Sequence, residues 1–233
     1  MVVKLTHEFL LFMRSGMQRR ITSEVYFFAA TMYLLRMQAD FHSSFPLHAS
    51  RVHEVCGPSM FGFAAVVCAQ VDGDILWVRE AWLPDAINPP GLVPYADPKR
   101  LLVAQTSDQT DTLSVAEEAL RDSAVALVVT ELTRPLNLRE GRRLQLAAQV
   151  GKTIGLCLIS EGAGSNAAET RWHCTPVFDP DMPSADSTLQ HWKLIKNKKG
   201  TFGDWHVRWD ATTHRLSVVP PVGKQPGSSD VSG

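Results

Sequence analysis

From Arg51 to Ile159 short apolar runs alternate with segments of helical period, and that alternation restricts the fold more than any other feature. Ala124 to Val129 and Thr153 to Ile159 are nearly continuous apolar stretches. Such runs mark strands buried on both faces, as in a parallel sheet. Val52 to Cys56, Ile75 to Val78 and Leu101 to Ala104 read as further strands, with an apolar helix over Phe63 to Val71. Thr110 to Asp122, with Asp108 or Thr110 as its cap, and Leu138 to Val150, ended by Gly151, read as helices. Units of this length close through right-handed crossovers. The expected fold class is α/β: a doubly wound, mostly parallel sheet with helices on both faces.

Beyond Ser160 the pattern changes. Glu161 to Ala168 is rich in Gly, Ala and Ser and reads as a mobile loop. Arg171 to Val177, Gln190 to Lys196, Trp205 to Asp210 and Leu216 to Val219 then read as C-terminal antiparallel strands. Residues 220–233 have the composition of a disordered tail. Near the N-terminus, Phe9 to Met13 and Val25 to Leu35 are apolar runs closed by arginines. Both fall short of the roughly 20 residues of a spanning helix. The expected division is an N-terminal helical extension over 1–44, a core domain over 45–219 and the tail. The extension is either native helices or residues read from an upstream start codon.

With 23 basic against 24 acidic residues the chain has no global polyanion-binding character. Its four cysteines, Cys56, Cys68, Cys157 and Cys174, lack metal-knuckle spacing and mostly sit among hydrophobes. They read as core residues of a reduced, cytoplasmic protein, without membrane association. The histidines show no metal-binding spacing, His53-Glu54 lacks the second His of HExxH, and Ser59 is not in a GxSxG turn. No metal or cofactor is expected.

Gly57-Pro58-Ser59-Met60-Phe61-Gly62 follows a strand and precedes a helix, where a phosphate-binding loop belongs. A working loop reads GxxxxGK[ST]: its Lys reaches the β- and γ-phosphates and its hydroxyl holds Mg²⁺. Here Phe63 and Ala64 occupy those two positions. The outline is present and the chemistry is missing.

Residues 51–219 resemble the ImuA family, RecA-related accessory proteins of bacterial damage-induced mutagenesis cassettes. The resemblance lies in an ordered series: VHEV at Val52 to Val55, GFA at Gly62 to Ala64, ILWVRE at Ile75 to Glu80, and KRLLVAQTSD at Lys99 to Asp108. EEALR at Glu117 to Arg121, RRLQLAA at Arg142 to Ala148, ETRW at Glu169 to Trp172 and WKLIKNKKG…GDWHVRWD between Trp192 and Asp210 complete it.

The resemblance implies a RecA-like core and a degenerate phosphate loop made of Gly57, Gly62, Phe63 and Ala64. Glu80 then stands near the acidic strand end that polarises water in RecA, or is an ordinary solvated strand end. Glu131 matches the second acidic position. The DNA-binding loops shrink to Thr133 to Glu140 and Glu161 to Thr170. Lys196 and Lys198 resemble the lysines with which RecA subunits reach a neighbour's nucleotide, so they become partner-binding candidates. Arg142 and Arg143, in a basic cluster with Arg134 and Arg139, form a second docking candidate. Trp192, Trp205 and Trp209 beside basic residues offer either a core or a single-strand stacking surface, so any DNA contact is expected to be weak.

The expected role is a non-enzymatic adaptor in SOS-induced translesion synthesis. Its implied partners are RecA, an ImuB-type relative of the Y-family polymerases and an error-prone replicative-type polymerase. The alternatives are a weak P-loop-type ATPase in DNA repair and a SulA-type inhibitor of cell division.

Overall fold

The computed structural model describes residues 40–85, 87–179 and 187–220, with helical positions 32, 36 and 38. Two compact units are present, Met1–Arg36 and Met37–Gly233. In the first only Met32 and Arg36 are described, both exposed on a helix. The rest of the expected N-terminal helical extension and residues 221–233 of the expected tail lie outside the described residues.

The second unit is built on one sheet that contains, among the described residues, nine strands. They are β1 (Val52–Cys56), β2 (Ile75–Glu80), β3 (Leu101–Thr106), β4 (Leu127–Glu131), β5 (Ile154–Leu158), β6 (Thr170–Pro176), β7 (Gln190–Asn197), β8 (Gly203–Asp210) and β9 (Arg215–Val219). Their order across the sheet is β3-β2-β4-β5-β1-β6-β7-β8-β9. Every pairing from β3 to β6 is parallel, and those from β6 to β9 are antiparallel. The connecting helices are α1 (Met60–Ala69), the single turn α2 (Pro89–Leu92), α3 (Gln109–Asp122) and α4 (Leu138–Gly151).

Strand alternation divides the core into two layers. Val55, Ile75, Trp77, Leu127, Val129, Leu156 and Leu158 pack in the cluster that contains α1. Val52, Val78, Val128 and Cys157 pack against Ala116 and Leu120 of α3 and Leu144, Ala147 and Ala148 of α4. All four cysteines are buried and unbonded, and burial pushes the Cys68 thiol up to about 12.

Both long helices start where their caps dictate. The Asp108 side chain accepts the Thr110 and Asp111 N–H groups. Asn137 and Glu140 form a reciprocal capping box that also brings a carboxylate to the positive end of α4. Gly151 has a different task from ending α4: a Cβ there would lie 2.0 Å from the Leu120 carbonyl oxygen. It lets α3 and α4 touch, while Lys152 takes the left-handed capping conformation.

The antiparallel half is held by an aromatic cluster. Phe63 lies 4.5 Å from Trp192, 5.5 Å from Trp172 and 5.9 Å from Phe45, centroid to centroid. Phe41 extends the cluster to Trp205 at 5.4 Å. The core therefore reaches back to Phe41, inside the segment that the sequence reading assigned to the extension. Of the six tryptophans only Trp82 is exposed; Trp192, Trp205 and Trp209 are core residues and offer no stacking platform.

The segment after β5 is pinned, contrary to its composition. Glu54, 1% exposed, accepts the Arg171 Nε–H at 2.8 Å and the Ser165 backbone N–H at 2.8 Å. Arg171 donates in turn to the Ser165 carbonyl at 2.9 Å, and its guanidinium occupies the space a Cβ on Gly164 would need. A buried carboxylate must be paired, and the glycine makes room for its partner.

His53 is fully buried. Its Nε2–H donates to the His48 carbonyl at 3.0 Å, which leaves Nδ1 to accept from the Thr170 hydroxyl at 2.6 Å. Burial pushes its pKa down to about 4. The unfolded chain takes up this proton near pH 6.5, so stability falls as pH drops from about 6.5 towards 4, by about 3 kcal/mol in total. Urea unfolding of the wild type should lose stability along this acid limb, and His53→Gln should flatten it. An identical slope in both proteins would contradict the assignment.

Candidate functional site

Two features converge at the C-terminal ends of the parallel strands: the turn between β1 and α1, and a cavity beside it.

The turn is shorter than a phosphate loop. α1 begins at Met60, so only Gly57, Pro58 and Ser59 separate it from β1. Gly62 lies within the helix. Gly57 has φ +93° and packs so close to β6 that a Cβ would lie 2.5 Å from the Cys174 carbonyl oxygen. Pro58 has no N–H, the Ser59 N–H donates to the Cys174 carbonyl and the Met60 N–H to the Gly57 carbonyl. A phosphate loop needs successive N–H groups turned into a concavity; here the Ser59 N–H docks the turn on β6 and the Met60 N–H closes it on Gly57. Phe63 and Ala64 are fully buried in the core.

The two acidic positions sit on opposite faces of the sheet. Glu80 is buried and accepts Trp82 Nε1–H at 2.5 Å and the Thr133 hydroxyl at 2.5 Å. It is therefore neither a solvated strand end nor a carboxylate with open lone pairs facing water. Glu131 accepts Trp77 Nε1–H at 2.7 Å and lies 3.3 Å from Arg79 Nε. Burial nevertheless holds the Glu131 carboxyl above its usual range; Asp85 adds to the rise, while Trp77 and Arg79 oppose it. Among the described residues no group of His, Cys, Asp and Glu could hold a metal ion.

A cavity of about 650 Å³ opens where α1, the ends of β2, β4 and β5, and the β2–α2 connection meet. Phe61, Trp77 and Trp82 supply aromatic walls, and Arg79, Glu131 and Asp85 its charges. The Phe61 and Trp77 rings are parallel within 5°, with centroids 6.4 Å apart. The sequence signal was present in WVREAW, whose alternation sends Trp77 and Arg79 to the α1 side of the sheet. It is a signal of placement, and the cavity depends on the irregular β2–α2 connection, which periodicity does not describe.

The partner-binding candidates are scattered. Lys196, half-buried at the end of β7, donates its ammonium to the Ala168 carbonyl; burial, followed by Lys198, lowers its pKa. Lys198 is exposed. On α4, Arg143 pairs with Glu117 at 2.6 Å while Arg142 points to solvent. Arg134 pairs with Glu140 at 2.8 Å. The segment Thr133 to Asn137 is tethered by Gln109, which accepts the Thr133 and Arg134 N–H groups.

No family model matches the chain. Over 157 residues it is 31% identical to Protein ImuA of Caulobacter vibrioides, in strain NA1000 / CB15N and in strain ATCC 19089 / CIP 103742 / CB 15. Over that stretch the chain is similar to ImuA. The alignment covers 65% of this chain and 59% of each Caulobacter ImuA, so the chain matches less than two thirds of the relatives' length. The crystal structure of the RadB recombinase superposes with a TM-score of 0.55 at 14% identity, covering 74% of this chain and 92% of that one. That likeness concerns the fold alone, which is RecA-like α/β.

Phe63→Lys combined with Ala64→Thr restores the phosphate-loop sequence while placing an ammonium among Phe45, Trp172 and Trp192. Losing a buried Phe costs about 3–5 kcal/mol, and an unpaired buried charge adds to it. The double variant should melt well below the wild type or fail to fold. An unchanged melting temperature would show that Phe63 is not the anchor described.

Proposed function

We propose that the chain is a non-enzymatic accessory protein of the DNA-damage response, acting through a RecA-like fold with its nucleotide chemistry removed. The observation that carries this reading is the turn at Gly57–Ser59: its Ser59 N–H donates to the Cys174 carbonyl of β6, and Phe63, at the lysine position, is a core side chain. Without an ammonium or a metal-holding hydroxyl, the two main sources of charge stabilisation for phosphoryl transfer are missing. The ATPase alternative would need Glu80 or Glu131 to position water, and both carboxylates are engaged with indole, hydroxyl or guanidinium groups.

The ImuA homology supports a place in mutagenic repair. The finer proposal is that the chain bridges RecA to an ImuB-type polymerase relative and an error-prone replicative-type polymerase in SOS-induced translesion synthesis in the cytoplasm. Among the described residues no helix is long and apolar enough to cross a membrane. Of the four candidate cations, Lys198 and Arg142 are exposed, whereas Lys196 donates to the Ala168 carbonyl and Arg143 pairs with Glu117 at the surface.

The test is capture of purified RecA and of the ImuB-type subunit on immobilised, folded chain, with and without ATP. The adaptor reading expects retention of both irrespective of ATP, and weaker RecA retention by Lys198→Glu. Capture of neither partner would overturn it.

A further inference from the structure

The cavity at the strand ends has a chemistry that the degenerate turn does not explain. Its charged groups are Arg79, Glu131 and Asp85, which sum to a single negative charge. The one cation among the lining residues is ion-paired: Arg79 is 5% exposed and its Nε lies 3.3 Å from Glu131, without a hydrogen bond. Asp85 is exposed. Asp85 and Glu131 line the same cavity. A phosphate-bearing ligand meets net repulsion here, and a cation is attracted.

The walls favour the same class of ligand. Trp82 is 63% exposed and Phe61 45% exposed, and both rings line the opening. Indole and phenyl faces attract guanidinium and ammonium groups while covering the apolar stem that carries them. Val93, next in sequence to the cavity-lining Leu92, is 58% exposed. A concave site with exposed aromatic rings is the usual anatomy of a protein-recognition hot spot.

We infer that this cavity is a docking pocket for a partner polypeptide, which inserts an arginine or lysine flanked by apolar residues between Trp82 and the Glu131–Asp85 carboxylates. The inference rests on the adaptor reading for the existence of a protein partner and adds the surface and the chemistry by which that partner is held. The carboxylates select the cation, the rings cover its stem, and the surface around Val93 receives the flanking apolar side chain.

The test uses the full chain, ¹⁵N-labelled, with three probes: N-acetyl-Leu-Arg-Leu-amide, N-acetyl-Leu-Gln-Leu-amide and deoxyadenosine monophosphate. The readout is the indole N–H signals of Trp77 and Trp82. The arginine peptide should shift both signals saturably and bind about tenfold more tightly than the glutamine peptide, a ratio expected from one cation–π contact together with one screened ion pair. Asp85→Asn, at an exposed position, and Glu131→Gln should together erase that preference, and Trp82→Ala should weaken both peptides. Equal affinity for the two peptides, preference for the nucleotide, or no shift at the highest soluble peptide concentration would each overturn the inference. Partner capture retained by Trp82→Ala would place docking elsewhere and leave the adaptor reading standing. Peptide selectivity without capture of RecA or the ImuB-type subunit would preserve the pocket and remove the adaptor reading.

Discussion

Phe63 and the rings around it are the interaction on which the rest of the structure depends. In a nucleotide-hydrolysing chain of this fold, the first turn of the helix after β1 presents an ammonium to phosphate. Here the same position sends a phenyl ring 4.5 Å from Trp192 and 5.5 Å from Trp172. Aromatic pairs of this kind are worth about 0.5–1.5 kcal/mol each beyond the area they bury. They join α1 to β6 and β7, and hence the parallel half of the sheet to the antiparallel half. Strand β1 contributes at the same place, because Gly57 lies against the Cys174 carbonyl of β6. A loop open enough to wrap a phosphate and a turn tight enough to dock on β6 are incompatible uses of the same residues.

That choice leaves the far end of the strand termini available. The β2–α2 connection and the ends of β4 and β5 frame a cavity whose aromatic walls and net negative charge suit a basic, apolar segment of polypeptide. On the opposite face, Glu80 ties β2 to Thr133, and Gln109 ties the start of α3 to the same connection. Beyond β1, the Glu54–Arg171 pair immobilises the segment that follows β5. These polar links tie down the β4–α4 connection and the segment after β5 at the C-terminal edge of the sheet.

Much of the fold was legible in the sequence because buried parallel strands leave an unambiguous trace. Ala124 to Val129 and Thr153 to Ile159 lie within three residues of β4 and β5, and the start of α3 is set by Asp108, one of the two caps the sequence offered. The loss of phosphate-loop chemistry was also visible at Phe63 and Ala64. What stayed hidden depends on contacts distant in sequence. Composition made Glu161 to Ala168 look mobile, because nothing local announces that Glu54, more than 100 residues away, accepts the Ser165 N–H. α1 was expected to start at Phe63 because Gly62 looked like a loop residue; the helix starts at Met60 because Pro58 and Ser59 already complete the turn. Gly151 looked like a helix stop, whereas the helix–helix contact at Leu120 is what requires it.

The central claim is that the turn after β1 has exchanged phosphate binding for a structural contact. Calorimetric titration of the folded chain with ATP and Mg²⁺ tests it most directly. The structure predicts no saturable heat up to millimolar nucleotide. A stoichiometric isotherm with a micromolar Kd would contradict the account, because it would require the Gly57–Ser59 turn to open and release its contacts with β6.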